Sequence, residues 1–222
     1  MKQGHTIPVL DHGFVRYVQH MGDDVDIVEA ARISYQSPSK GEEQDKRLLR
    51  YLFKNKHTSP FEMVKVKFNI KLPIFVMRQF VRHRMQNINE VSARYTQLPK
   101  EFYVPQVWRA QDTKNKQGSV ESTGINHLNC TARLQEHSDV SYASYEALLT
   151  EGVAREMARL VLPVNIYTEI YCCWDLNNLL KFFRLRDDSH AQAEFQDYAK
   201  AMKQITRELF PWTMEVYDEA TN

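Results

Sequence analysis

The stretch VKVKFNIK, residues 64–71, decides the fold class of this 222-residue chain. Apolar and polar side chains alternate along it, and the apolar ones are Val64, Val66, Phe68 and Ile70. An alternation with period two is typical of a strand that has one buried face and one solvent-facing face. Pro73 follows, and proline is favoured at the first position of a helix because its missing N–H has no partner there anyway. The pattern therefore predicts a strand that leads directly into a helix over residues 73–84.

Outward from this strand, the rest of the chain is mainly helical in pattern. Apolar spacing predicts helices over 23–35, 43–56, 138–150, 152–161 and 176–186, then a long helix ending at Leu209 and a final one starting at Pro211. Residues 165–174, NIYTEIYCCW, are rich in β-branched and aromatic side chains and predict another strand. HTSPFE, residues 57–62, is interpreted as a turn, and residues 99–137 as a long irregular loop. Strands mixed with helices, without regular βαβ alternation, indicate an α+β fold.

Two helix starts have candidate caps. Asp175 can cap the helix over 176–186, and Asp187, Asp188 or Ser189 can cap the long helix that ends at Leu209.

Composition narrows the functional classes. Lys plus Arg number 29 and Asp plus Glu 28, so the net charge is +1 and any anion site must be local. This balance argues against a nucleic-acid or membrane-surface partner. The three cysteines include the adjacent pair Cys172 and Cys173, which predicts reduced, buried thiols rather than disulfides, and they form no zinc-binding pattern. Residues 1–13 lack an apolar signal segment, and no apolar run is long enough to span a membrane. We expect a cytoplasmic protein without a metal.

The segment RHRMQNINEVSARY, residues 82–95, concentrates positive charge. Arg78 and Arg82 are four residues apart on one predicted helix face. The simpler interpretation is a solvated basic face, and the functional one is a phosphate clamp, because the arginine fork matches phosphate oxygens. Glu90, Ser92 and Arg94 follow at period-two spacing, so in an extended segment they would share one face.

Two further groups have both structural and functional interpretations. RLRDDSHAQ, residues 184–192, is either a helix-to-helix corner or a place where Arg186 and His190 meet a substrate together. In HTSPFE, His57 precedes a proline turn, and Ser59 with Glu62 has the spacing of a capping pair.

Together these segments resemble the flavin-dependent thymidylate synthases. The pattern Arg82-His83-Arg84, seven residues and Ser92, followed by Ala93-Arg94-Tyr95, resembles the signature of that family. Further blocks match in order and spacing: AARISY, HTSPFE, PIFVMRQFVRHR, NINEVSARY, EMARLVLPVNIYTE and LRDDSHAQ. The resemblance extends from about Phe14 to about Trp212 and covers nearly the whole chain.

The resemblance implies a single α+β domain over residues 1–222, with a central antiparallel or mixed sheet flanked by helices. It also implies a homotetramer with active sites at the subunit interfaces. The activity it implies is methylation of dUMP to dTMP, with carbon from methylenetetrahydrofolate and reducing equivalents from NADPH through FAD. Reduced FAD would supply hydride, and its N5 would relay the one-carbon unit, so the protein supplies placement and charge.

The resemblance also assigns site residues. Arg186 is the catalytic residue that favours ionisation of uracil N3, without a covalent enzyme nucleophile, and Ser92 is assigned to binding. The positions expected to bind dUMP are Gln79, Arg82, Glu90, Val91, Ser92, Ala93, Arg94, Arg159 and Arg186. Those expected to bind FAD are Ser59, Arg82, His83, Arg84, Glu90, Asp175, Leu176, Asn177 and Lys181. His57 and His190 match positions near the flavin ring, where folate or NADPH must stack.

Some positions depart from the family pattern. Asn87 stands where many members have serine, so a hydroxyl is not required there. Asp175 and Asn177 stand where some members have asparagine and arginine, which alters the flavin contacts expected from this block.

Two alternative functions differ in class from the enzyme. One is a nucleic-acid-binding module built on residues 78–94, which the near-zero net charge disfavours. The other is a structural oligomer that keeps the fold without activity, which the presence of Arg186, Arg159 and Ser92 disfavours.

Overall fold

The computed structural model describes residues 1–188 and 190–221, and its centre is an antiparallel sheet. The strands are β1 (Thr6–Val9), β2 (Gly13–Met21), β3 (Lys65–Pro73), β4 (Gln86–Glu90) and β7 (Tyr167–Asp175), and they lie in the order β1-β2-β3-β7-β4. Each neighbouring pair is antiparallel. Two short strands, β5 (Ala110–Gln111) and β6 (Ser119–Val120), pair with each other in the loop region. The predicted α+β class with a central antiparallel sheet is confirmed.

The alternating stretch over residues 64–71 forms most of β3, one of the inner strands of this sheet. Val64, Val66, Phe68 and Ile70 are all buried, as their alternation predicts. Asn69, on the opposite face, is also buried, and its amide donates to the carbonyl oxygen of Ile170 at 3.2 Å and to Glu169 at 2.8 Å. Its oxygen accepts from Arg16 at 3.2 Å, so this buried polar side chain has partners at both ends.

Helices cover the sheet. They are α1 (Asp24–Arg32), α2 (Glu42–Lys54), α3 (Ser59–Glu62), α4 (Ile74–Phe80), α5 (His127–Thr150), α6 (Arg155–Ala158), α7 (Leu176–Arg186), α8 (Ala193–Leu209) and α9 (Pro211–Thr221). Single 3₁₀ turns extend α1 over Ile33–Tyr35 and α6 over Arg159–Val161. α8 packs on β1 and β2 through a stripe that includes Phe195, Tyr198, Met202, Ile205 and Leu209.

The buried side chains form two clusters. The larger one lies between the sheet and helices α1, α2, α7, α8 and α9, and Trp174, Phe80 and Phe182 are among its largest members. The smaller one joins α5 and α6 to the segment after β4 through Ala93, Leu98, Phe102, Tyr142, Tyr145, Ala158 and Ile166. This second cluster anchors the chain immediately around Ser92 and Arg94.

Several predicted elements change in the structure. HTSPFE contains the short helix α3 rather than only a turn, because Pro60 occupies the first turn, where it needs no N–H partner. The helix predicted over 73–84 ends at Phe80, and the helix predicted over 138–150 begins earlier, at His127, inside the supposed loop. Most of 152–161 is a short helix and a 3₁₀ turn.

The predicted cap of α7 is confirmed, whereas the described candidates for the cap of α8 are not. Asp175 caps α7 as predicted, accepting from the backbone N–H of Asn178 at 2.9 Å. α8 begins after Gln192, so Asp187 and Asp188 do not cap it, and Ser189 lies outside the described residues.

The cysteines form no disulfide, as predicted, although only Cys172 is fully buried while Cys130 and Cys173 are half-buried. Among residues 1–188 and 190–221, no helix is both long and apolar enough to cross a bilayer. In the same ranges no group of three or more His, Cys, Asp or Glu side chains is arranged to hold a metal ion.

Candidate active site

The RHR motif lies in the tight connection between α4 and β4. The side chain of Gln86 closes this connection by donating to the carbonyl oxygens of Phe80 at 3.1 Å and His83 at 2.8 Å. His83 is thereby half-buried, while Arg82 and Arg84 on either side of it are exposed. The turn thus separates the three basic residues into one inward and two outward side chains.

His83 meets Arg186 inside the protein. Arg186, the last residue of α7, donates from Nε to Nε2 of His83 at 2.9 Å. The imidazole packs edge-on against Phe182, with ring centroids 4.9 Å apart. The Arg186 guanidinium lies 5.1 Å from the ring centroid of Phe195, a cation–π distance.

The two residues of this pair differ in charge at neutral pH. Burial, reinforced by the positive charge of Arg186, lowers the pKa of His83 to about 4, so the imidazole is neutral at pH 7 and accepts the hydrogen bond. Burial also lowers the pKa of Arg186, yet a guanidinium keeps its charge at neutral pH. The result is a fixed, partly desolvated cation held by a neutral acceptor rather than by a carboxylate.

Arg186 lines a cleft of about 620 Å³ together with Gln79 and His190. Gln79 is hydrogen-bonded to Gln192 across the cleft wall. His190 Nδ1 lies 2.7 Å from Asp188 Oδ1, and its hydrogen bonds lower the pKa of that carboxyl group. Three residues assigned separately to substrate, catalysis and co-substrate therefore share one cavity, which we call the Arg186 cleft.

The Arg186 cleft also contains residues that were not predicted from the sequence. Arg109, from the long loop, donates to Glu194 on α8 at 2.6 Å, and Tyr103 donates to the same carboxylate at 3.2 Å. Burial alone would raise the pKa of Glu194, but the hydrogen bond and charge of Arg109 outweigh it and hold that pKa below its ordinary value. No local pattern marks these residues, because they are far apart in sequence.

The segment Glu90–Arg94 is not extended throughout. Glu90 ends β4 and accepts a hydrogen bond from Thr168 at 2.7 Å. Ser92 then starts a turn, since its carbonyl oxygen accepts from the N–H of Tyr95 at 2.9 Å and its hydroxyl from the N–H of Arg94 at 3.3 Å. The expectation that Glu90, Ser92 and Arg94 share one face of an extended segment is therefore wrong after Glu90.

Arg94 and Arg159 approach the same region. Arg94 Nε lies 3.2 Å from Glu156, and both side chains are about half exposed. Arg159 is exposed and lies three residues beyond Glu156, at the next helical turn. Val91 is exposed next to this group, whereas the Ala93 side chain is buried in the second cluster.

A second and larger cleft, of about 830 Å³, contains His57, Asn177 and Lys181. It lies between the end of α2, α7 and α9, and we call it the α2–α7 cleft. His57 is exposed and packs edge-on against Tyr51, with ring centroids 5.7 Å apart. Ser59 is exposed at the start of α3 nearby.

Three residues of the 175–181 block have structural partners. Both carboxylate oxygens of Asp175 are used by Asn178, and the Leu176 side chain is fully buried. Asn177 is 9% exposed and donates to Glu62 at 3.1 Å. Lys181 is the member of this block that presents an exposed side chain.

The remaining cations suit an anionic dinucleotide such as FAD. Within the described parts of the chain, the arginines in ion pairs are Arg32, Arg50, Arg94, Arg109 and Arg207. Arg82 and Arg84 are thus exposed without a carboxylate partner, beside the aromatic surroundings of His83. Charged, unpaired forks next to stacked rings fit a ligand that combines phosphates with a planar ring.

One chain therefore carries three separate groups. These are the Arg186 cleft, the α2–α7 cleft with Lys181 and His57, and the exposed group of Ser92, Arg94 and Arg159, which lines neither cleft. Arg82, His83 and Arg84 lie between helix α4 and strand β4, at the edge of the sheet.

Comparison with known proteins identifies the family. A family model described as thymidylate synthase complementing protein matches residues 16–212. The flavin-dependent thymidylate synthase of Thermus thermophilus is 49% identical over 214 residues, covering 96% of this chain and 78% of the relative. That of Kosmotoga olearia is 46% identical over 218 residues, covering 95% and 92% of the two chains.

Solved structures agree. The UMP/dUMP methylase PolB from Streptomyces cacaoi, bound with 5-Br dUMP, superposes with a TM-score of 0.87 at 31% identity, covering 96% of this chain and 97% of its own. Its complex with 5-Br UMP gives a TM-score of 0.85 at 32% identity, covering 96% of both chains. With the matched family model spanning residues 16–212, the chain belongs to the flavin-dependent thymidylate synthase family.

Proposed function

We propose that this enzyme methylates dUMP to dTMP, taking carbon from methylenetetrahydrofolate and reducing equivalents from NADPH through FAD, and releasing tetrahydrofolate. The observation that carries the proposal is the hydrogen bond from Arg186 to the neutral His83, 2.9 Å long, at the wall of the Arg186 cleft. Family membership indicates the reaction class, and we assign the chemistry of the reaction to this pair of residues.

Arg186 is the proposed catalytic residue. A cation held in a partly desolvated cleft stabilises negative charge much more strongly than one in water. His83 fixes the guanidinium through Nε, which leaves its remaining N–H groups for a ligand. Facing the uracil ring, these groups would favour ionisation at N3 and stabilise the anion that makes the ring nucleophilic.

The nucleotide phosphate requires a different set of residues. Ser92, Arg94 and Arg159 combine a hydroxyl, a turn with backbone N–H groups and two arginine forks, the donors that phosphate groups prefer. We assign dUMP binding to them together with Gln79, Arg82, Glu90, Val91 and Ala93. Glu156 now neutralises Arg94 and would be displaced by the phosphate.

FAD would be held by Arg82, His83, Arg84, Ser59, Glu90 and Lys181, with Asp175, Leu176 and Asn177 supporting the start of α7 beneath it. When bound, the flavin supplies the redox chemistry of the reaction. His57 and His190 would border the region where folate or NADPH stacks.

Assembly into a homotetramer would bring these groups together. On one chain, the residues proposed to bind the phosphate (Ser92, Arg94 and Arg159) line neither of the two clefts. A site formed from several subunits accounts for this separation. The exposed apolar side chains beside Arg159 (Met157, Leu160 and Val164) support this assembly.

An anaerobic reduction experiment tests the function. Purified protein incubated with FAD should show a flavin absorption spectrum, and NADPH should bleach it. With dUMP and methylenetetrahydrofolate added, dTMP should form, whereas omission of any one component should prevent it. Protein that never binds FAD, or that reduces FAD without forming dTMP, contradicts the proposal.

UMP methylation is the second candidate, because the solved PolB structures are those of a UMP/dUMP methylase. The two activities differ by one ribose hydroxyl, and running the same assay with UMP decides between them. The 49% identity to a thymidylate synthase favours dUMP.

A further inference from the structure

The α2–α7 cleft has four exposed basic side chains around it. Lys54 ends α2, Lys56 lies two residues beyond it, and Lys181 and Arg184 come from α7. Since Lys181 is assigned to FAD, we call the other three, Lys54, Lys56 and Arg184, the cationic rim. Lys181 and Arg184 are three residues apart on the helix and therefore lie on one face.

The cationic rim is not neutralised by the described residues around it. The lysines found in ion pairs are Lys46, Lys71, Lys100, Lys200 and Lys203, and the ion-paired arginines do not include Arg184. Arg50, at the edge of the cleft, differs because Glu215 and Glu219 neutralise it at 2.8 and 3.1 Å. The fold thus pairs one cation of this cleft and leaves the three cations of the rim available.

The floor of the cleft is apolar. Phe53, Phe61, Leu180 and Val216 line it between the charged walls. An apolar floor beneath basic walls suits a ligand with an aromatic part and several negative charges. His57, at the same cleft, is the residue assigned to the folate or NADPH region.

We propose that the α2–α7 cleft binds the oligo-γ-glutamate tail of the folate co-substrate, with the cationic rim facing its carboxylates. This inference rests on the proposed function. The p-aminobenzoyl ring would lie on the apolar floor, and the successive carboxylates would meet basic side chains from the end of α2 and from α7. A single phosphate is more often bound by converging arginine forks and backbone N–H groups, whereas this rim combines two lysines near the end of α2 with one arginine on α7.

The test compares folates that differ only in tail length. The FAD-bound enzyme is assayed with mono- and pentaglutamyl methylenetetrahydrofolate, and the ratio of the two KM values is measured. The unmodified enzyme should prefer the pentaglutamate by about tenfold, as expected for a few partly exposed ion pairs. The double variant Lys54→Gln/Lys56→Gln should reduce this preference to about twofold. Lys2→Gln/Lys40→Gln, which removes the same charge from exposed sites outside the cleft, should leave the ratio unchanged.

Equilibrium binding of the same folates to each protein gives a readout independent of turnover. If no dTMP forms but pentaglutamate still binds more tightly and depends on Lys54 and Lys56, the proposed reaction fails while the tail site stands. Equal affinity for both folates, or a preference that survives in the double variant, overturns the tail site. A variant that instead raises the KM for NADPH but not for NADH shows that the rim serves a nucleotide phosphate, which also overturns it.

Discussion

Arg186 combines a fixed position with a charge that is only partly solvated, and this combination predicts a large catalytic effect. Replacing Arg186 with alanine should lower kcat by about 10²–10³-fold, because losing one preorganised charge-stabilising donor typically costs about 2.7–4 kcal/mol. Arg186→Lys keeps the charge but loses the fork, so we expect it to recover only part of the rate. Single-turnover formation of dTMP measures the effect. The flavin spectrum serves as the control, and full turnover in Arg186→Ala would remove the residue from catalysis.

The lowered pKa of His83 predicts that the stability of the protein depends on pH. Its pKa is lowered from 6.5 to about 4 in the folded protein, so between these values the unfolded chain binds a proton that the folded one does not. The contribution of His83 to the free energy of unfolding is therefore fully present above pH 6.5 and is lost as the pH falls towards 4. Between pH 7 and pH 5 we expect a loss of about 1 kcal/mol, discounted because the ring is only half-buried.

Urea unfolding of the unmodified protein and of His83→Gln at both pH values measures this contribution. Glutamine can still accept from Arg186 but does not titrate, so the variant should lose less stability on acidification. An identical loss in both proteins would show that the protonation of His83 does not differ between the folded and unfolded states, and would contradict the interpretation.

Helix α9 is fixed by a cap from the opposite end of the sequence. Asp24 on α1 is buried and accepts from the backbone N–H groups of Trp212 at 2.7 Å and Thr213 at 3.0 Å. Burial raises the pKa of Asp24, only partly offset by these hydrogen bonds. Because α9 forms a wall of the α2–α7 cleft, this cap contributes both to the stability of the protein and to the shape of the cleft.

Asp24→Ala should therefore lower the free energy of unfolding by about 2 kcal/mol, since it leaves buried N–H groups at a helix start without acceptors. Asp24→Asn retains an acceptor oxygen and should cost less. Thermal and urea denaturation of both variants measures the difference. Equal stability of Asp24→Ala and the unmodified protein would show that water replaces the cap.

Secondary-structure elements with a long, regular pattern were predicted correctly. β3 and the Asp175-capped α7 follow from alternation and helical spacing, because each is regular over its whole length. β2 was missed because both of its faces carry apolar residues, with Val15 and Tyr17 buried on one face and Phe14 and Val18 half-buried on the other. The first part of α5 was missed because it is polar, and its contacts come from the long loop, where Trp108 donates to the His127 ring at 3.1 Å and to the Thr131 hydroxyl at 2.9 Å.

The candidate site was predicted in its residue types but not in its pairings. Arg186 and His83 are 103 positions apart and were assigned to different ligands, yet the fold places them in direct contact. Arg109 and Glu194, 85 positions apart, belong to no motif used in the prediction. Spacing rules relate neighbours in sequence, so contacts that depend on the packing of α4, α7 and α8 require the fold.

The outer surface of the chain supports assembly into a multimer. Around the exposed Arg159, three apolar side chains are solvent-facing: Met157 is 54% exposed, Leu160 72% and Val164 62%. A single exposed apolar residue is normal on a protein surface, but a contiguous segment of them indicates a protein interface. Because Arg94 and Arg159 lie in this region, an interface here would complete the proposed dUMP phosphate site from two subunits.

Leu160→Arg tests this assembly, because a charge at the centre of an apolar interface must be desolvated without a partner when the subunits meet. We expect the unmodified protein to sediment with a mass near four times 26.2 kDa and the variant to sediment as smaller species. The variant should also lose dUMP affinity by at least about tenfold, since each subunit would retain only part of the site. Leu128→Arg, at a side chain that is 85% exposed on α5, is the matched control and should leave both mass and affinity unchanged. A monomeric unmodified protein with full dUMP affinity would contradict both the tetramer and the shared site.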